Sequence, residues 1–279
     1  MPNLASLPEM QDAIHMVLAN QEVPELQRRL VVPGGSLGGA RPKSLVEIDG
    51  EPWIVKFAED NDFDMPMAEH AAMTLAAKAG IHVAPTQAIP VGKAHAVAVK
   101  RFDRLPGQRL HAMSAHVALR AAGLPMSYPE FAQIMRRISP YREIGQMQQQ
   151  LYRRMVFNIL IDNTDDHEKN HALLRNPRTG EYTLSPAFDV LPTLQGLGYQ
   201  GMEVGISGHE STVANAVSRS RDFGLSEKEA RGIIREVATV VETWRGHFVT
   251  CGVKPQDMDQ LHAYIDSGRM RQMRKEALT

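Results

Sequence analysis

A run of polar and charged residues, Asn163–Asn170, follows the largely apolar segment Met155–Ile161 after one residue, Asp162. Burying such groups costs stability unless they are solvated, paired or used in chemistry. Asp165 could take a proton from a hydroxyl group, and Asn170 carries the kind of oxygen ligand that Mg²⁺ prefers. A second carboxylate, Asp189, begins a loop after a predicted strand and could complete a magnesium site. The alternative for the run is a solvated loop that contains a helix N-cap.

The spacing from Asp165 to Asn170, D-x-x-x-x-N, is that of a protein kinase catalytic loop. In that loop the aspartate orients and deprotonates the attacking hydroxyl, and the asparagine holds a magnesium ion. Asp189 would then take the place of the aspartate in D-F-G. The three residues together predict a site for metal-assisted phosphoryl transfer.

The same segment contains a competing motif, H-E-x-x-H, formed by His167, Glu168 and His171. In zinc proteases this pattern places two histidine ligands one helical turn apart, with the glutamate as general base. The motif requires the middle of a helix, whereas here it follows a predicted helix end and leads into a predicted hairpin. We therefore favour the magnesium interpretation over the zinc interpretation.

A glycine-dense turn, which contains Ser36, Gly38, Gly39 and Lys43, lies before a predicted strand. Glycines in such a turn let backbone N–H groups approach phosphate oxygens closely. The turn matches neither the P-loop pattern nor the dinucleotide-binding pattern. A flexible turn with glycine at positive φ is therefore the alternative to a phosphate-binding loop.

Lys56 lies in W-I-V-K-F (residues 53–57), between apolar residues of a predicted strand. A lysine in that place is costly unless its ammonium group finds an anion. Glu69, at the start of the next predicted helix, is a candidate partner, as in the lysine–glutamate pair of kinases. Strand alternation allows equally that Lys56 faces solvent.

A connector, residues 98–103, ends the last predicted strand of the first lobe and contains Lys100 and Phe102. In two-lobed kinases the connector offers backbone hydrogen-bonding groups and an apolar face to adenine; a core role for Phe102 is the alternative. The glycine turn, strand lysine, helix glutamate, connector, D-x-x-x-x-N motif and loop aspartate occur in the order found in kinases. Six weak signals in one order are much less probable by accident than any one of them.

The elements that must position these residues change in character near position 105. Before it, the pattern predicts a short helix over residues 5–20, four strands at 44–48, 53–57, 83–91 and 94–101, and a helix over 68–79. After it, helices are predicted over 129–138, 141–162 and 226–248, with a hairpin at 171–185. We therefore predict an α+β, two-lobed protein kinase-like fold, with a β-rich N-lobe (1–104) and a helical C-lobe (105–279).

Composition excludes several other classes of protein. The chain has 279 residues, is 43% apolar, and carries 31 basic against 32 acidic residues, a formal net charge of −1. Such a chain has no global field for holding a polyanion, so direct nucleic-acid binding is not expected. No apolar run approaches the length of a membrane span, and a single cysteine, Cys251, fits a reducing cytoplasm.

From about Ser36 to the C-terminus, the sequence resembles the HipA family, the serine/threonine toxin kinases of bacterial toxin–antitoxin modules. The agreement is densest at residues 36–46, at 98–104, and at 157–174 together with 184–193. Conventional kinases have His-Arg before the catalytic aspartate, whereas here Asn163-Thr164 precedes Asp165. This departure favours the HipA family.

The resemblance implies a role for the C-lobe residues of the site. It makes Asp165 the catalytic base and places His167 beside it in the catalytic loop. Asn170 and Asp189 would bind magnesium.

In the N-lobe, the resemblance implies that Lys56, paired with Glu69, contacts the ATP phosphates and that Lys100 and Phe102 lie at the adenine. The loop with Gly38, Gly39 and Lys43 would cover the nucleotide. Ser36 would be the loop serine whose autophosphorylation inactivates family members.

The family's targets include aminoacyl-tRNA synthetases, and its partners include a HipB-like helix-turn-helix antitoxin that carries the DNA binding. Only 35 residues precede Ser36, fewer than in HipA proteins with an N-terminal subdomain. We therefore expect a short, HipT-like form, with a separate HipS-like subunit as a possible partner. In place of the family's His-Gln-Glu-Asp the chain has His111-Ala112-Met113-Ser114.

The resulting prediction is an ATP- and Mg²⁺-dependent serine/threonine protein kinase of the cytoplasm, a toxin that inhibits translation by phosphorylating an aminoacyl-tRNA synthetase. One alternative is a small-molecule phosphotransferase with the same metal and base geometry. Another is a catalytically idle, nucleotide-binding partner in a regulatory complex.

Overall fold

Alternating apolar residues near the N-terminus form a four-stranded antiparallel sheet in the computed structural model, which describes residues 2–18, 21–22, 43–59, 62–105 and 107–279. The strands are β1 (Lys43–Ile48), β2 (Glu51–Phe57), β3 (Thr86–Val91) and β4 (Ala94–Lys100), in the spatial order β1-β2-β4-β3. Asp49 and Gly50 join β1 to β2 with φ values of 52° and 75°. Positive φ at both positions is what a two-residue hairpin turn requires, so the predicted hairpin is confirmed.

The two faces of this sheet pack against different helices. Helix α1 (Leu7–Leu18), preceded by a 3₁₀ turn, shares an apolar cluster with Val55 and Phe57 of β2. On the opposite face, Val97 and Val99 of β4 belong to the main core together with helix α2 (Met65–Lys78). Because successive side chains of a strand alternate between faces, Lys56 points toward α2.

The C-lobe is built from helices around the main core. They are α3 (Ala115–Ala121), α4 (Tyr128–Ile138), α5 (Ile144–Leu160), α6 (Val213–Ser218), α7 (Glu227–Val241), α8 (Trp244–Cys251), α9 (Pro255–Ile265) and α10 (Gly268–Leu278). Helix α2 packs on α8 and shares this core, so the helix after β2 is anchored to the C-lobe as well as to the sheet.

The helix predicted over residues 226–248 is two helices in the structure. It begins as expected, since Ser226 and Glu229 form a reciprocal capping box at the start of α7. The chain then breaks between Val241 and Trp244. The break lets the Trp244 side chain turn into the core, where it is 1% exposed.

A second sheet positions the polar loops of the C-lobe. It consists of β7 (Ala112–Ser114), β8 (Ala172–Arg175) and β9 (Tyr182–Leu184). The predicted hairpin at 171–185 is confirmed, and the Ser185 N–H donates to the Ala172 carbonyl at 2.9 Å. Because β8 starts just after Asn170 and β9 ends shortly before Asp189, the hairpin brings these two loops to one end of the sheet.

Two short strands, β5 (Arg104–Leu105) and β6 (Gln108–Arg109), form a hairpin at the position of the predicted lobe boundary. The boundary itself stays a prediction. Within the described residues, no helix combines the length and the apolar character that crossing a membrane would need.

Candidate active site

The Lys56 ammonium group lies between two carboxylates from different parts of the chain. Its Nζ is 2.6 Å from Glu69 Oε1 on α2 and 2.7 Å from Asp189 Oδ1 in the loop after β9. Lys56 is 8% exposed, and burial alone would lower its pKa, but the charges and hydrogen bonds of Glu69 and Asp189 hold the pKa above its ordinary value. The lysine therefore stays charged and joins the sheet, α2 and the C-lobe at one point. The alternative that Lys56 faces solvent is wrong, because its side chain is buried between two carboxylates.

Asp189 adopts a left-handed backbone conformation, with φ at 61°. A non-glycine residue there is uncommon and persists only where its neighbours fix it. Ala187 does so by exchanging backbone hydrogen bonds of 2.8 Å with His82 and Ala84. Phe188 packs against Phe102 of the connector, with ring centroids 5.4 Å apart. The Asp189 side chain remains 33% exposed, so a ligand can reach its carboxylate.

Asp165 and Asp166 lie in opposite environments. Asp166 is 1% exposed and accepts hydrogen bonds from the Tyr128 hydroxyl and, at 2.8 Å, from His171 Nε2. Burial alone would raise the pKa of Asp166, but His171 and Tyr128 hold it below its ordinary value. The side chain of Asp165, by contrast, is exposed. Asp166 thus anchors the loop, while Asp165 is open to solvent. The role of Asp165 as catalytic base stays a prediction.

Hydrogen bonds between Thr193 and the residues Asp162 and Thr164 also join the loop of Asp165 to the loop of Asp189. The Thr164 and Thr193 hydroxyl oxygens are 2.6 Å apart, and Thr193 donates its N–H and its hydroxyl to the Asp162 carbonyl at 3.2 and 3.1 Å. With the β8–β9 hairpin, these bonds hold both loops on one side of the C-lobe.

The H-E-x-x-H motif does not have the geometry of a zinc site. Residues 161–171 are not helical. His171 turns inward to Asp166, Glu168 bonds His116 at 2.8 Å, and His167 is half-buried beside the Lys169 N–H. Nowhere in the described chain do three or more His, Cys, Asp or Glu side chains form a group able to hold a metal.

The chemistry of the remaining donors fits magnesium better than zinc. Asn170 offers an amide oxygen and Asp189 a carboxylate, and hard cations such as Mg²⁺ take oxygen ligands. Magnesium usually keeps several waters and is completed by substrate phosphates, so two protein ligands are enough. The assignment of Asn170 and Asp189 to magnesium stays a prediction.

Other predicted residues lie around this centre. Lys43 is the register partner of Lys56 across β1 and β2. Lys100, at the end of β4, forms an ion pair with Glu51 at 3.7 Å, and its predicted place at the adenine stays a prediction. The predicted loop residues Ser36, Gly38 and Gly39 lie outside the described residues.

Two arginines that contact Asp103 stiffen the connector. Arg101 Nε and Nη2 donate to the two carboxylate oxygens of Asp103 at 2.8 and 2.7 Å. Arg104 Nη1 adds a contact of 2.6 Å. Burial by itself would raise the pKa of Asp103, but the two arginines hold it below its ordinary value. The segment between the lobes thus has a defined shape.

Sequence reasoning missed the buried groups beneath the catalytic loop. Arg154, 3% exposed, donates to the Ser185 carbonyl at 2.5 Å, and burial lowers its pKa to about 10 although Asp166 and Tyr128 oppose this. Two adjacent arginines, Arg153 and Arg154, in the stretch 151–161 were a signal that one of them has a buried partner. No comparable signal marked Tyr128 or Thr193.

Comparison with known proteins gives three kinds of match. Residues 35–244 match the model of the HipA-like C-terminal domain family. The proposed kinase Y4dM of Sinorhizobium fredii is 31% identical over 174 residues, which are 52% of this chain and 38% of that protein.

Two solved structures share the fold. HipA of Shewanella oneidensis MR-1, from a complex with HipB and its operator DNA, aligns with a TM-score of 0.63 and 18% identity over 87% of this chain and 66% of that chain. The Helicobacter pylori proinflammatory kinase CtkA aligns with a TM-score of 0.60 and 15% identity over 88% of this chain and 94% of that chain. The chain thus spans less than two thirds of the length of Y4dM and of HipA.

Proposed function

The chain belongs to the HipA-like C-terminal domain family, and we propose that it is an ATP- and Mg²⁺-dependent kinase that phosphorylates a serine or threonine of a protein. The observation that carries this proposal is the Lys56 ammonium, held 2.6 Å from Glu69 and 2.7 Å from Asp189. An ion pair between a strand lysine and a helix glutamate, next to a metal-binding aspartate, is the arrangement required for phosphoryl transfer in protein kinases.

Each residue has a defined task in the proposed reaction. Asp165 orients the substrate hydroxyl in line with the γ-phosphate and accepts its proton, because its carboxylate is exposed and its loop is anchored by Asp166. Asn170 and Asp189 would hold magnesium, which neutralises charge on the phosphates. Lys56, kept charged by Glu69, contacts the phosphates.

Toxin activity, the synthetase substrate and the antitoxin are finer parts of the same proposal. A HipB-like helix-turn-helix partner is supported by the structural relative HipA, which was solved together with HipB and operator DNA. The aminoacyl-tRNA synthetase target and a HipS-like subunit rest on the family resemblance. With no net positive charge, the chain would leave DNA binding to the antitoxin.

The test is phosphate incorporation by the purified protein from labelled Mg-ATP. The assay offers a bacterial lysate, purified aminoacyl-tRNA synthetases and a panel of small alcohols and sugars in parallel. We expect label on a protein serine or threonine, located by mass spectrometry, and a rate of labelling lower by about 10²–10⁴ with Asp165→Ala. Asp259→Asn, on the exposed side of α9, is the matched carboxylate control and should act as wild type.

Label on a small molecule alone would favour the small-molecule phosphotransferase. ATP binding without any transfer would favour the idle regulatory partner. Either result would overturn the protein kinase proposal.

A further inference from the structure

Asp162 is the residue at which the chain turns from α5 into the catalytic loop. It lies three residues before Asp165, has a φ of 59°, and is 1% exposed. Its carbonyl accepts both hydrogen bonds from Thr193, which ties the catalytic loop to the loop of Asp189. A left-handed aspartate persists only where its surroundings fix it, so the contacts of Asp162 determine the path of the loop that follows.

The charged contact of Asp162 comes from the far end of the chain. Arg269, in the first turn of α10, donates from Nη2 to Asp162 Oδ1 at 3.3 Å and from Nη1 to the Ser211 carbonyl at 3.3 Å. Arg269 therefore joins the start of the catalytic loop to the segment 198–211.

Segment 198–211 also contacts the catalytic loop directly, through Gly201. A Cβ added at Gly201 would lie 2.8 Å from the Asp166 carbonyl oxygen and 3.1 Å from His167 Cβ, so only glycine allows this approach. The catalytic loop is thus held from one side by Arg269 directly and from the other by a segment that Arg269 also holds.

We propose that Arg269 is a positioning residue for phosphoryl transfer, which acts through Asp162 to fix the direction of Asp165. This inference rests on the proposed kinase function. Arg269 lies beyond residues 35–244, the part of the chain that matches the family model, so the family match does not assign this role. A misplacement of a reacting group by about 1 Å can cost on the order of 100-fold in rate, and an ion pair three residues from the base can produce one.

The charge of Asp162 gives this pair a pH signature. Burial raises the pKa of Asp162 to about 6, against the opposing effects of the Arg269 guanidinium and the Gly196 N–H. Arg269 is the charged side chain that contacts Asp162 within the described chain, and Thr193 contributes only neutral groups. The ion pair is therefore present above about pH 6 and is lost as the pH falls through that value.

The first experiment compares Arg269→Met, Arg269→Lys and, as a control on the same helix, the exposed Arg271→Met. We measure kcat and KM for ATP between pH 5 and pH 8 with the protein substrate or, failing one, autophosphorylation. Arg269→Met should lower kcat about tenfold with KM for ATP changed by less than about twofold. Its acid limb should move to higher pH, because Asp162 loses the guanidinium that favours its ionised form. Arg269→Lys should restore much of both, and Arg271→Met should match wild type.

The second experiment needs no activity. The melting temperature is measured at pH 8 and pH 5 for wild type, Arg269→Met, Asp162→Asn and the double variant. Arg269→Met should lower it more at pH 8, where Asp162 is ionised, than at pH 5, and should have no pH-dependent effect in the Asp162→Asn background.

The outcomes separate the two proposals. An active wild type with an unchanged kcat profile in Arg269→Met would overturn the positioning role alone. Equal melting losses at both pH values, or the same loss in the Asp162→Asn background, would show that Arg269 acts by packing and would also overturn it. A wild type that transfers no phosphate would overturn the kinase proposal itself, and the positioning role with it.

Discussion

At the scale of single residues, the neighbouring aspartates Asp165 and Asp166 of the catalytic loop have different environments and different roles in our proposal. Asp166 is buried among Tyr128, His171 and Arg154, whereas Asp165 is exposed. The same side-chain chemistry therefore serves structure at one position and, in our proposal, catalysis at the next. The sequence alone could not exclude that Asp166 is the candidate base, and the difference in burial favours Asp165.

The two aspartates should respond in opposite ways to truncation. We expect Asp165→Ala to keep its free energy of unfolding within about 0.5 kcal/mol, because the side chain is exposed. Its rate of phosphoryl transfer should fall by about 10²–10⁴, the usual contribution of a general base, and its expression should no longer inhibit growth. Asp166→Ala should lose about 3–5 kcal/mol of stability, because the buried Tyr128 and His171 would lose their partner and Arg154 a nearby negative charge.

Denaturant unfolding and transfer assays on both variants measure these effects. An Asp166→Ala protein that is stable but inactive, beside an active Asp165→Ala protein, would mean that Asp166 is the base.

At the scale of elements, helix α2 carries Glu69 and is fixed at its N-terminus by Asp64. Asp64 caps α2 by accepting from the Met67 N–H at 3.4 Å. The same carboxylate binds His95 at 2.7 Å and lies 3.7 Å from Lys254, the residue that precedes α9. The position of Glu69 therefore depends on a junction of sheet, helix and C-lobe.

Removing this cap should affect nucleotide binding as well as stability. We expect Asp64→Ala to lose about 2 kcal/mol of unfolding free energy and to bind Mg-ATP more weakly, because α2 and Glu69 shift away from Lys56. Ser226→Ala, which removes the cap of α7, should lose about 1 kcal/mol and leave ATP affinity unchanged. Calorimetric titration with Mg-ATP checks this, and equal affinities in the two variants would count against the link from Asp64 to Glu69.

The glycine-dense segment around Ser36, which lies outside the described residues, has a predicted role that can be tested. We expect autophosphorylation of Ser36 during incubation with Mg-ATP, since glycines let such a loop exchange between arrangements. A phosphate adds about −1.5 to −2 charges and should repel ATP. Mass spectrometry, with Asp165→Ala as the control, detects the modification. Unmodified Ser36 in active protein, or unchanged ATP affinity after modification, would remove this switch.

At the scale of the whole molecule, the site is built from both lobes. Lys56 and Glu69 come from the sheet and α2, and Asp189 comes from the C-lobe. A nucleotide that contacts all three should stabilise both lobes together, by about 2.7 kcal/mol at a ligand concentration 100 times Kd.

This stabilisation should depend on magnesium. We expect Mg-ATP to raise the melting temperature more than ATP with EDTA, and Asn170→Ala and Asp189→Asn to lose the magnesium-dependent part. Differential scanning fluorimetry measures it. Activity and a thermal shift restored by Zn²⁺ but not by Mg²⁺ would instead revive the zinc interpretation.

Local patterns in the sequence predicted the β1–β2 and β8–β9 hairpins, the four strands of the first sheet, and helices α1, α2, α4, α5 and the start of α7. Helices α3, α6, α9 and α10 and the β5–β6 hairpin were not predicted. Asp49-Gly50 predicted a tight turn, and the apolar run 53–57 predicted a strand but left the face of Lys56 open. Helix ends such as Ser226 follow from hydrogen bonding within a few residues. Such features depend on neighbours in sequence, so they are readable before any tertiary structure is known. The order of the motifs also predicted the kinase-like fold that the structural relatives share.

Only the tertiary structure decided which face of β2 packs against α2 and which of two adjacent aspartates is buried. It also decided that Arg269 contacts Asp162. Lys56 and Asp189 are 133 positions apart in sequence, and Asp162 and Arg269 are 107 apart. No local pattern encodes such pairs, because these charges attract each other strongly only where packing has brought them together and excluded water. The sequence thus determined the types of group available for chemistry, and packing determined which of them face each other.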